Sequence, residues 1–184
     1  MVYKYTVRHG KPEDSGTILE FLKEHSKIED FTAVALKHAE EDLRSHSFGD
    51  EAPFHFLVLE TTGDGPGETA GPEVVGCIGY FLAYCSLKGR MLFLDELFVQ
   101  AAHRGKSLGR MLLGKAAEVA IKNHCKGMNW LLGGANKNAA EFYGHLNCPN
   151  MTKQHGQRFV RIPRDSFEQL ADTMPKTGSN IQFL

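Results

Sequence analysis

The stretch that decides the fold of this chain is Met91–Leu113, which reads MLFLDELFVQAAHRGKSLGRMLL. Its first part is a long apolar run, typical of a buried strand. Its last part carries apolar residues at intervals of three and four, as on one face of a helix. Between them lies a short basic turn with two glycines. The stretch therefore predicts a strand, a turn and a helix that begins near residues 106–108.

The basic turn raises the question of a phosphate ligand, because residues 105–107 read Gly-Lys-Ser. A Walker loop needs a further glycine five residues before this Gly, and that position is Gln100, which argues against a nucleoside triphosphatase. A helix start still offers unpaired backbone N–H groups and partial positive charge, which suit a diphosphate. Arg104, Lys106 and Arg110 add formal charge there. The alternative is a plain strand-to-helix turn with solvated basic side chains.

Two adjacent carboxylates, Asp95 and Glu96, interrupt the apolar strand. Burying an ionised carboxylate without partners is costly, so such residues are paired, protonated or functional. Neighbouring strand residues face opposite sides, so we expect at most one of the two in any given pocket unless a bulge intervenes. One carboxylate could serve as a general base toward an amine. The alternative is a salt bridge to a neighbouring strand or helix.

A third candidate is Tyr143, within NKNAAEFYGHL at residues 136–146. Its spacing places it on the apolar stripe of a helix, where an aromatic side chain is usually part of the core. Its phenol would nevertheless suit protonation of a leaving thiolate. Spacing alone leaves both interpretations open.

Working outward from these features, the chain predicts one α/β domain with a mixed sheet. A glycine- and proline-rich loop at 61–73 should join two antiparallel strands, and the strands on either side of 85–89 should form a hairpin at the centre of the sheet. The predicted strands lie at 3–8, 54–60, 74–84, 90–99, 128–134 and 157–163. The predicted helices follow residue 15 and lie at 33–45, after 108, around 139–146 and near 165–171.

Composition sets the broad class of protein. The chain has 184 residues, 42% of them hydrophobic and 23% charged, and no apolar run approaches the ~18 residues of a membrane span. The net charge of -1 gives no reason to expect a nucleic acid or a membrane as partner. Four cysteines without C-x-x-C spacing and nine scattered histidines predict neither disulfides nor a metal site. The N-terminal residues lack a secretory apolar run, so we expect a cytoplasmic location.

Taken in order, the segments LFV, RGKSLG, Asn136 and Tyr143 resemble the acetyl-CoA site of the GNAT superfamily of N-acetyltransferases. More narrowly, the chain resembles the diamine acetyltransferase branch, which includes spermidine/spermine and thialysine N-acetyltransferases. The likeness runs from about Tyr5 to about Met174. It implies a central mixed, mostly antiparallel sheet flanked by helices, with acetyl-CoA in a cleft between splayed central strands. It implies a single domain at 1–174 and a tail of uncertain order at 175–184.

The resemblance also implies roles for individual residues. Tyr143 matches the general acid toward the CoA thiolate, and Asp95 and Glu96 match the acidic pair beside the reacting amine. Residues implied to hold acetyl-CoA are Leu97, Phe98, Val99, Arg104, Gly105, Lys106, Ser107, Leu108, Gly109, Arg110, Asn136, Lys137, Asn138 and Ala139. Residues implied to line the substrate site are Ile28, Glu29, Asp95, Asn129, Trp130, Leu131 and His155.

Three departures from the family pattern bear on the substrate. Ser107 stands where a glycine is usual, residues 85–87 read Cys-Ser-Leu where the polyamine enzymes have Asp-Pro-Trp, and His155 replaces a late glutamate. Two acids that could bind distal ammonium groups are thus absent, which weakens recognition of long polyamines. The segment CSLKGR is instead similar to the thialysine-acetylating members.

The function that the resemblance implies is transfer of acetyl from acetyl-CoA to the primary amine of a small substrate, by direct attack in a ternary complex. The favoured substrates are thialysine, a lysine-like amine or a short diamine. A polyamine N-acetyltransferase that uses Glu29, Asp95 and Glu96 is the first alternative. A protein N-acetyltransferase and a non-catalytic acyl-CoA-binding protein are the others. The resemblance further implies a homodimer.

Overall fold

The computed structural model of the chain describes residues 3–28, 40–49, 51–63 and 71–172. The chain divides into two compact units, residues 1–140 and residues 141–184. No helix among the described residues is both long and apolar enough to cross a membrane.

The first unit is built on a five-stranded sheet whose strands lie side by side in chain order. The strands are β1 (Tyr3–His9), β2 (His55–Gly63), β3 (Glu73–Cys85), β4 (Gly89–Val99) and β5 (Met128–Trp130). Neighbours are antiparallel from β1 to β4, whereas β5 runs parallel to β4. The expected mixed, mostly antiparallel sheet is confirmed, and so is the β3–β4 hairpin at its centre.

Helices cover both faces of this sheet. Helices α1 (Ser15–Ile28) and α2 (Glu40–His46) lie on one face, here called the α1 face, and α3 (Leu108–Lys122) lies on the other, the α3 face. On the α1 face the buried core consists of Ile18, Phe21, Phe56, Val58, Cys77 and Phe98. On the α3 face the core includes Leu59, Ile78, Leu92, Leu94, Leu112 and Ala116. The apolar spacing of α3 that the sequence showed is the stripe that packs here.

The start of α1 is fixed to the sheet by a buried carboxylate. Asp14 directly precedes the helix and accepts hydrogen bonds from Arg8 Nη1 at 2.7 Å and Nη2 at 2.9 Å, and from the backbone N–H of Lys11 at 2.7 Å. Arg8 on β1 also lies 2.6 Å from Glu60 Oε1 on β2. Burial raises the pKa of Asp14, but the hydrogen bonds from Arg8 and Lys11 outweigh burial and lower it below its ordinary value.

The second unit contains short helices. Helix α4 (Lys137–Gly144) begins in the first unit, and α5 (Met151–His155) and α6 (Phe167–Asp172) follow. Helix α6 confirms the helix expected near 165–171, whereas α5 was not predicted. Its signals were Asn150, whose side chain accepts from the backbone N–H of Lys153 at 3.0 Å, and Gly156, which is left-handed.

Some predicted bounds were wrong. In the described part of the chain, residues 156–163 form no strand, although the sequence predicted one at 157–163. A strand exists only where a neighbour pairs with it, and an alternating pattern does not supply that neighbour. Strand β5 ends at Trp130 rather than at residue 134. The helix predicted at 33–45 is described only from Glu40, and residues 29–39 lie outside the described ranges.

Candidate functional site

The two carboxylates of β4 lie at a β-bulge. Glu96 pairs with Gly79 of β3, but the preceding pair is Leu94 with Tyr80, so Asp95 is an extra residue in β4 with no opposite partner in the register. An insertion of this kind interrupts the alternation of side chains between the two faces. It is the condition under which both carboxylates can share one side of the sheet.

The packing of the flanking residues shows which side that is. Leu94 and Leu97 both belong to the core on the α3 face, and two residues separate them. Both Asp95 and Glu96 therefore point away from the α3 face, and Phe98 packs in the core on the α1 face. The sequence predicted that at most one of the two carboxylates would enter a given pocket unless a bulge intervened. The structure has such a bulge.

Gly79, opposite the bulge, makes room for aromatic rings on the α1 face. A Cβ atom at this position would lie 2.8 Å from Phe54 and 2.9 Å from Phe56. The Phe54 ring centroid lies 6.3 Å from that of Phe81, which stacks on Phe93 at 5.0 Å. A row of half-buried rings therefore adjoins the two carboxylates.

Glu96 has a partner that sequence reasoning missed. Its Oε1 lies 2.6 Å from Nδ1 of His25, in the last turn of α1, and its side chain is only 8% exposed. The imidazole also lies beside the ring of Phe98, with centroids 6.5 Å apart. Glu96 thus follows the salt-bridge alternative, whereas Asp95 is exposed. No local sequence signal joins His25 to Glu96, because the contact is made across the α1 face.

The charge near Glu96 also reaches a cysteine. Cys77 on β3 is fully buried, and burial together with the nearby Glu96 carboxylate raises the pKa of its thiol well above the ordinary value. A thiol held protonated is a poor nucleophile. Cys77 is therefore a core residue and not a candidate for covalent catalysis.

Strand β4 loses its second neighbour at the bulge. Its residues 92–94 pair with β5, and residues 96–99 continue the pairing with β3. Within the described ranges, no strand pairs with the other side of residues 95–99. Leu97, Phe98 and Val99, which were expected to offer backbone to the acetyl group and pantetheine, therefore lie along an edge that can take an extended ligand. Asn129, Trp130 and Leu131 lie at and just past the end of β5, the strand whose pairing with β4 ends at residue 94.

The turn after β4 has a backbone suited to close approach by a ligand. Residues 104–107 are exposed, Gly105 has φ of 77°, and Ser107 has φ of 60° and ψ of 16°. The first helical hydrogen bond of α3 runs from the N–H of Met111 to the carbonyl of Ser107 at 3.1 Å. Ser107 therefore holds a left-handed conformation that favours glycine, the residue usual here in the resembled family.

Two basic residues of the turn brace it. Arg104 Nε donates to the carbonyl of Val99 at 2.7 Å, and Lys106 Nζ donates to the Tyr5 hydroxyl at 3.1 Å. The same hydroxyl lies 3.0 Å from Nδ1 of His103. The open edge of β4 leads into the left-handed turn with its basic side chains, and the turn leads into the start of α3. The residues present therefore fit a ligand with an extended arm and a diphosphate. The residues from Arg104 to Arg110 belong to this one feature.

Asn136 caps the next helix start. Its side-chain oxygen accepts the backbone N–H of Ala139 at 3.0 Å, which satisfies one donor at the beginning of α4. Lys137, Asn138 and Ala139 form the first turn of that helix. This capping role explains the residue type at 136, and the contact with acetyl-CoA implied for these four residues stays a prediction.

The remaining predicted site residues belong to the second unit or lie at and beyond the end of α1. Tyr143 belongs to the second unit, where it is half-buried and its ring lies 5.1 Å from that of Phe142. His155 is exposed at the end of α5 in the same unit. Ile28 ends α1, with its side chain outside the described part, and Glu29 lies outside the described residues. The roles implied for these four residues stay predictions. Across the described ranges, no group of three or more His, Cys, Asp or Glu side chains could hold a metal ion.

Comparison with known proteins gives concordant matches. Residues 19–147 match the family described as Acetyltransferase (GNAT) family. A thialysine N-epsilon-acetyltransferase of Bos taurus is 32% identical over 165 residues, which cover 90% of this chain and 96% of the relative. A spermidine/spermine N(1)-acetyltransferase-like protein 1 of Homo sapiens is 25% identical over 167 residues, covering 91% of this chain and 24% of that protein. An aminoglycoside N-acetyltransferase solved in complex with CoA has the same fold, with a TM-score of 0.65 at 9% identity over 89% of this chain and 97% of that one.

Proposed function

The chain belongs to the acetyltransferase (GNAT) family and is an acyltransferase, and we propose that it acetylates the primary amine of a small substrate with acetyl-CoA. The proposed amines are thialysine, a lysine-like amine or a short diamine. The observation that carries the proposal is the bulge in β4, which directs the exposed carboxylate of Asp95 to the side of the sheet that also carries a row of aromatic rings. The relative from Bos taurus, with a thialysine activity in its name, supports this substrate class.

Three segments of this chain would hold acetyl-CoA, which supplies the acetyl group as a reactive thioester. The backbone of Leu97, Phe98 and Val99 lies along the open edge of β4. The exposed turn and the first residues of α3, from Arg104 to Arg110, provide N–H groups and positive charge for the pyrophosphate. The start of α4 at Asn136 is the third segment.

In the proposed reaction the amine attacks the thioester carbonyl directly, so no covalent enzyme intermediate forms. Asp95, or Glu96 beside it, accepts the proton that the amine loses. Tyr143 donates a proton to the departing sulfur. The acid and base contribute less than the holding of the two reactants in line and the polarisation of the carbonyl by backbone N–H groups.

Features of the α1 face favour a small amine with an apolar stem. Phe54, Phe81 and Phe93 offer ring surface beside the carboxylates, which suits methylene groups next to an ammonium. At the β3–β4 hairpin, Ser86 and Leu87 are exposed and uncharged, so they provide no anion for a distal ammonium group. The polyamine alternative is supported by the paired acids Asp95 and Glu96 and by the similarity to the spermidine/spermine N(1)-acetyltransferase-like protein.

The test is thiol release from acetyl-CoA with thialysine, lysine, putrescine, spermidine, spermine and a lysine peptide as separate acceptors. Preference for thialysine, lysine or putrescine supports the proposal, and preference for spermidine or spermine supports the alternative. Silence with every acceptor, while acetyl-CoA still binds, contradicts both. Tyr143→Phe is the matched variant for the general acid: turnover should fall with little change in acetyl-CoA affinity, and unchanged turnover would remove Tyr143 from the mechanism.

A homodimer is part of the same proposal. Phe159, Val160 and Ile162 are 64%, 83% and 51% exposed, in a segment with the sequence pattern of a strand. A second copy of the chain is the occupant that would cover them and supply a strand partner. Light scattering after size exclusion should give twice the mass of one chain, and a monomer at micromolar concentration would contradict this. One domain at 1–174 and a cytoplasmic location stay predictions from the sequence.

A further inference from the structure

The hydroxyl of Tyr5 on β1 lies where two residues of the basic turn reach the sheet. Lys106 Nζ donates to this hydroxyl at 3.1 Å, and Nδ1 of His103 lies 3.0 Å from it. We infer that Tyr5 is a positioning residue for acetyl-CoA: its hydroxyl holds the turn between His103 and Lys106 in the shape that receives the pyrophosphate. This inference rests on the proposed function, because that function places the pyrophosphate at this turn.

The backbone of the turn needs support from outside. Gly105 and Ser107 both have positive φ, 77° and 60°, and the second is a conformation that a serine rarely adopts. Residues 104–107 are exposed, and a Cβ atom added at Gly105 would meet no heavy atom within 4 Å among the described residues. A backbone in a sparsely populated conformation persists only where surrounding contacts fix it. Little packing surrounds this turn, so side-chain contacts with the sheet have that role.

Tyr5 is well placed to provide such contacts. Its ring packs against the core on the α3 face, so the hydroxyl projects from a fixed support. A phenol can accept one hydrogen bond while it donates another, so it can serve Lys106 and His103 together. The ring of His103 stands edge-on to that of Tyr5, with centroids 5.9 Å apart, and Lys106 Nζ lies 5.8 Å from the Tyr5 centroid. His103 and Lys106 lie on either side of Arg104 and Gly105, so Tyr5 spans the turn.

The consequence concerns binding rather than chemistry. A turn that already has its bound shape does not lose further freedom when the pyrophosphate arrives, and this favours affinity. In acetyl-CoA the pantetheine arm separates the pyrophosphate from the thioester. The Tyr5 hydroxyl should therefore affect the affinity for the cofactor and leave the acetyl transfer step unchanged.

The experiment compares Tyr5→Phe with the wild type, because phenylalanine keeps the ring and removes only the hydroxyl. We expect the Kd for CoA, measured by calorimetric titration, to rise about 5-fold, the size of one hydrogen bond. The kcat at saturating acetyl-CoA should not fall, and the KM for the amine should not change. Trypsin cleavage after Arg104 and Lys106 of the ligand-free protein should become faster, because the turn opens more often. Tyr84→Phe, at the exposed end of β3, is the matched control and should change neither quantity.

A double-mutant cycle tests whether the hydroxyl acts through Lys106. Lys106→Met keeps the apolar stem and removes the ammonium. In that background Tyr5→Phe should raise the Kd for CoA by a smaller factor than in the wild type, because one of the two contacts is already gone. An effect of equal size in both backgrounds would contradict the inference.

Three further results would overturn it. Unchanged CoA affinity in Tyr5→Phe would mean that the hydroxyl does not support the bound shape of the turn. Lower affinity with unchanged cleavage at the turn would mean that the hydroxyl contacts the ligand directly. Lower affinity with a lower urea midpoint, and faster cleavage outside the turn as well, would mean that Tyr5 only supports β1.

The failure of the inference can be distinguished from that of the proposed function. Wild-type protein that binds no CoA and acetylates no acceptor refutes the proposed function, whereas the cleavage comparison needs no CoA and still tests the contact. If Tyr5→Phe does not fold, His103→Phe, which keeps an aromatic ring beside Tyr5 and removes Nδ1, provides the same comparison.

Discussion

Helix α1 is joined to the sheet by an acid–base pair at each end, and the two pairs have different consequences. At its start, Asp14 meets Arg8 of β1, and in its last turn His25 meets Glu96 of β4. The two carboxylates are buried to the same degree, with Asp14 8% and Glu96 7% exposed. Burial alone therefore does not separate a carboxylate that supports the fold from one that is proposed for a site.

The partners and the strand positions make the difference. Asp14 accepts hydrogen bonds from both terminal guanidinium nitrogens of Arg8 and from the backbone N–H of Lys11, and an arginine stays charged at any ordinary pH. Glu96 lies close to an imidazole, which is charged only when protonated, and it follows directly after the inserted residue of the bulge. The first pair lies in regular structure, whereas the second lies beside the bulge in β4.

The largest effect is expected at the second end, from Asp95→Asn. The amide keeps the shape of the side chain but cannot accept the proton of the amine, so kcat should fall by about 100-fold or more. Asp95 is exposed, so the urea midpoint of unfolding should stay where it is in the wild type. Glu118→Gln on α3, where the exposed carboxylate pairs with Lys115 on the same helix, is the control for charge removal. Retained turnover in Asp95→Asn would transfer the base role to Glu96.

The next largest effect is expected at the first end, from Asp14→Asn. The guanidinium of Arg8 would lose its charged, bidentate partner, so the free energy of unfolding should fall by about 2–3 kcal/mol. Urea unfolding measures this loss, and kcat below the transition should stay near the wild-type value. Glu13→Gln, one residue earlier and exposed, is the matched control and should change stability little. A drop in kcat for Asp14→Asn would erase the distinction between the two pairs.

The smallest effect is expected on the pH dependence of stability, at acidic pH. Because hydrogen bonds from Arg8 and Lys11 outweigh burial, the pKa of Asp14 is lower in the folded chain than in the unfolded one. Such a group contributes stability that is complete above the unfolded pKa and is lost as the pH falls through the folded pKa. The stability difference between wild type and Asp14→Asn should therefore shrink as the pH falls from about 5 toward about 3. Urea unfolding at several pH values measures it, and a difference that does not change with pH would contradict the assignment.

Much of the fold could be predicted because periodicity is a local property. The strands β1 to β4 and the helices α1, α3 and α4 lie where apolar spacing placed them. The five-residue helix α5 was missed because it is too short to show a period. The strand expected at 157–163 was wrong because pairing depends on a partner rather than on the segment itself.

The site could be predicted in part. The turn at 104–110 could be recognised because glycines and basic residues follow directly after a strand. The carboxylates at 95 and 96 could be recognised because acidic residues are unusual within an apolar strand. His25 could not be recognised, since a histidine in an amphipathic helix has no local mark of a partner. The left-handed backbone of Ser107 was also not predicted, because the sequence showed only that a serine replaces the usual glycine.

By itself, the sequence determined the order of strand, turn and helix and the positions of the chemically active side chains, because apolar spacing and residue type are written along the chain. Only the tertiary structure decided that Asp95 and Glu96 share one side of the sheet and that the imidazole of His25 lies against one of them. The bulge exists only in the pairing of β4 with Gly79 and Tyr80, and the contact between His25 and Glu96 exists only in the packing of α1 on that sheet. Both are contacts between residues distant in the chain, which local preference does not specify.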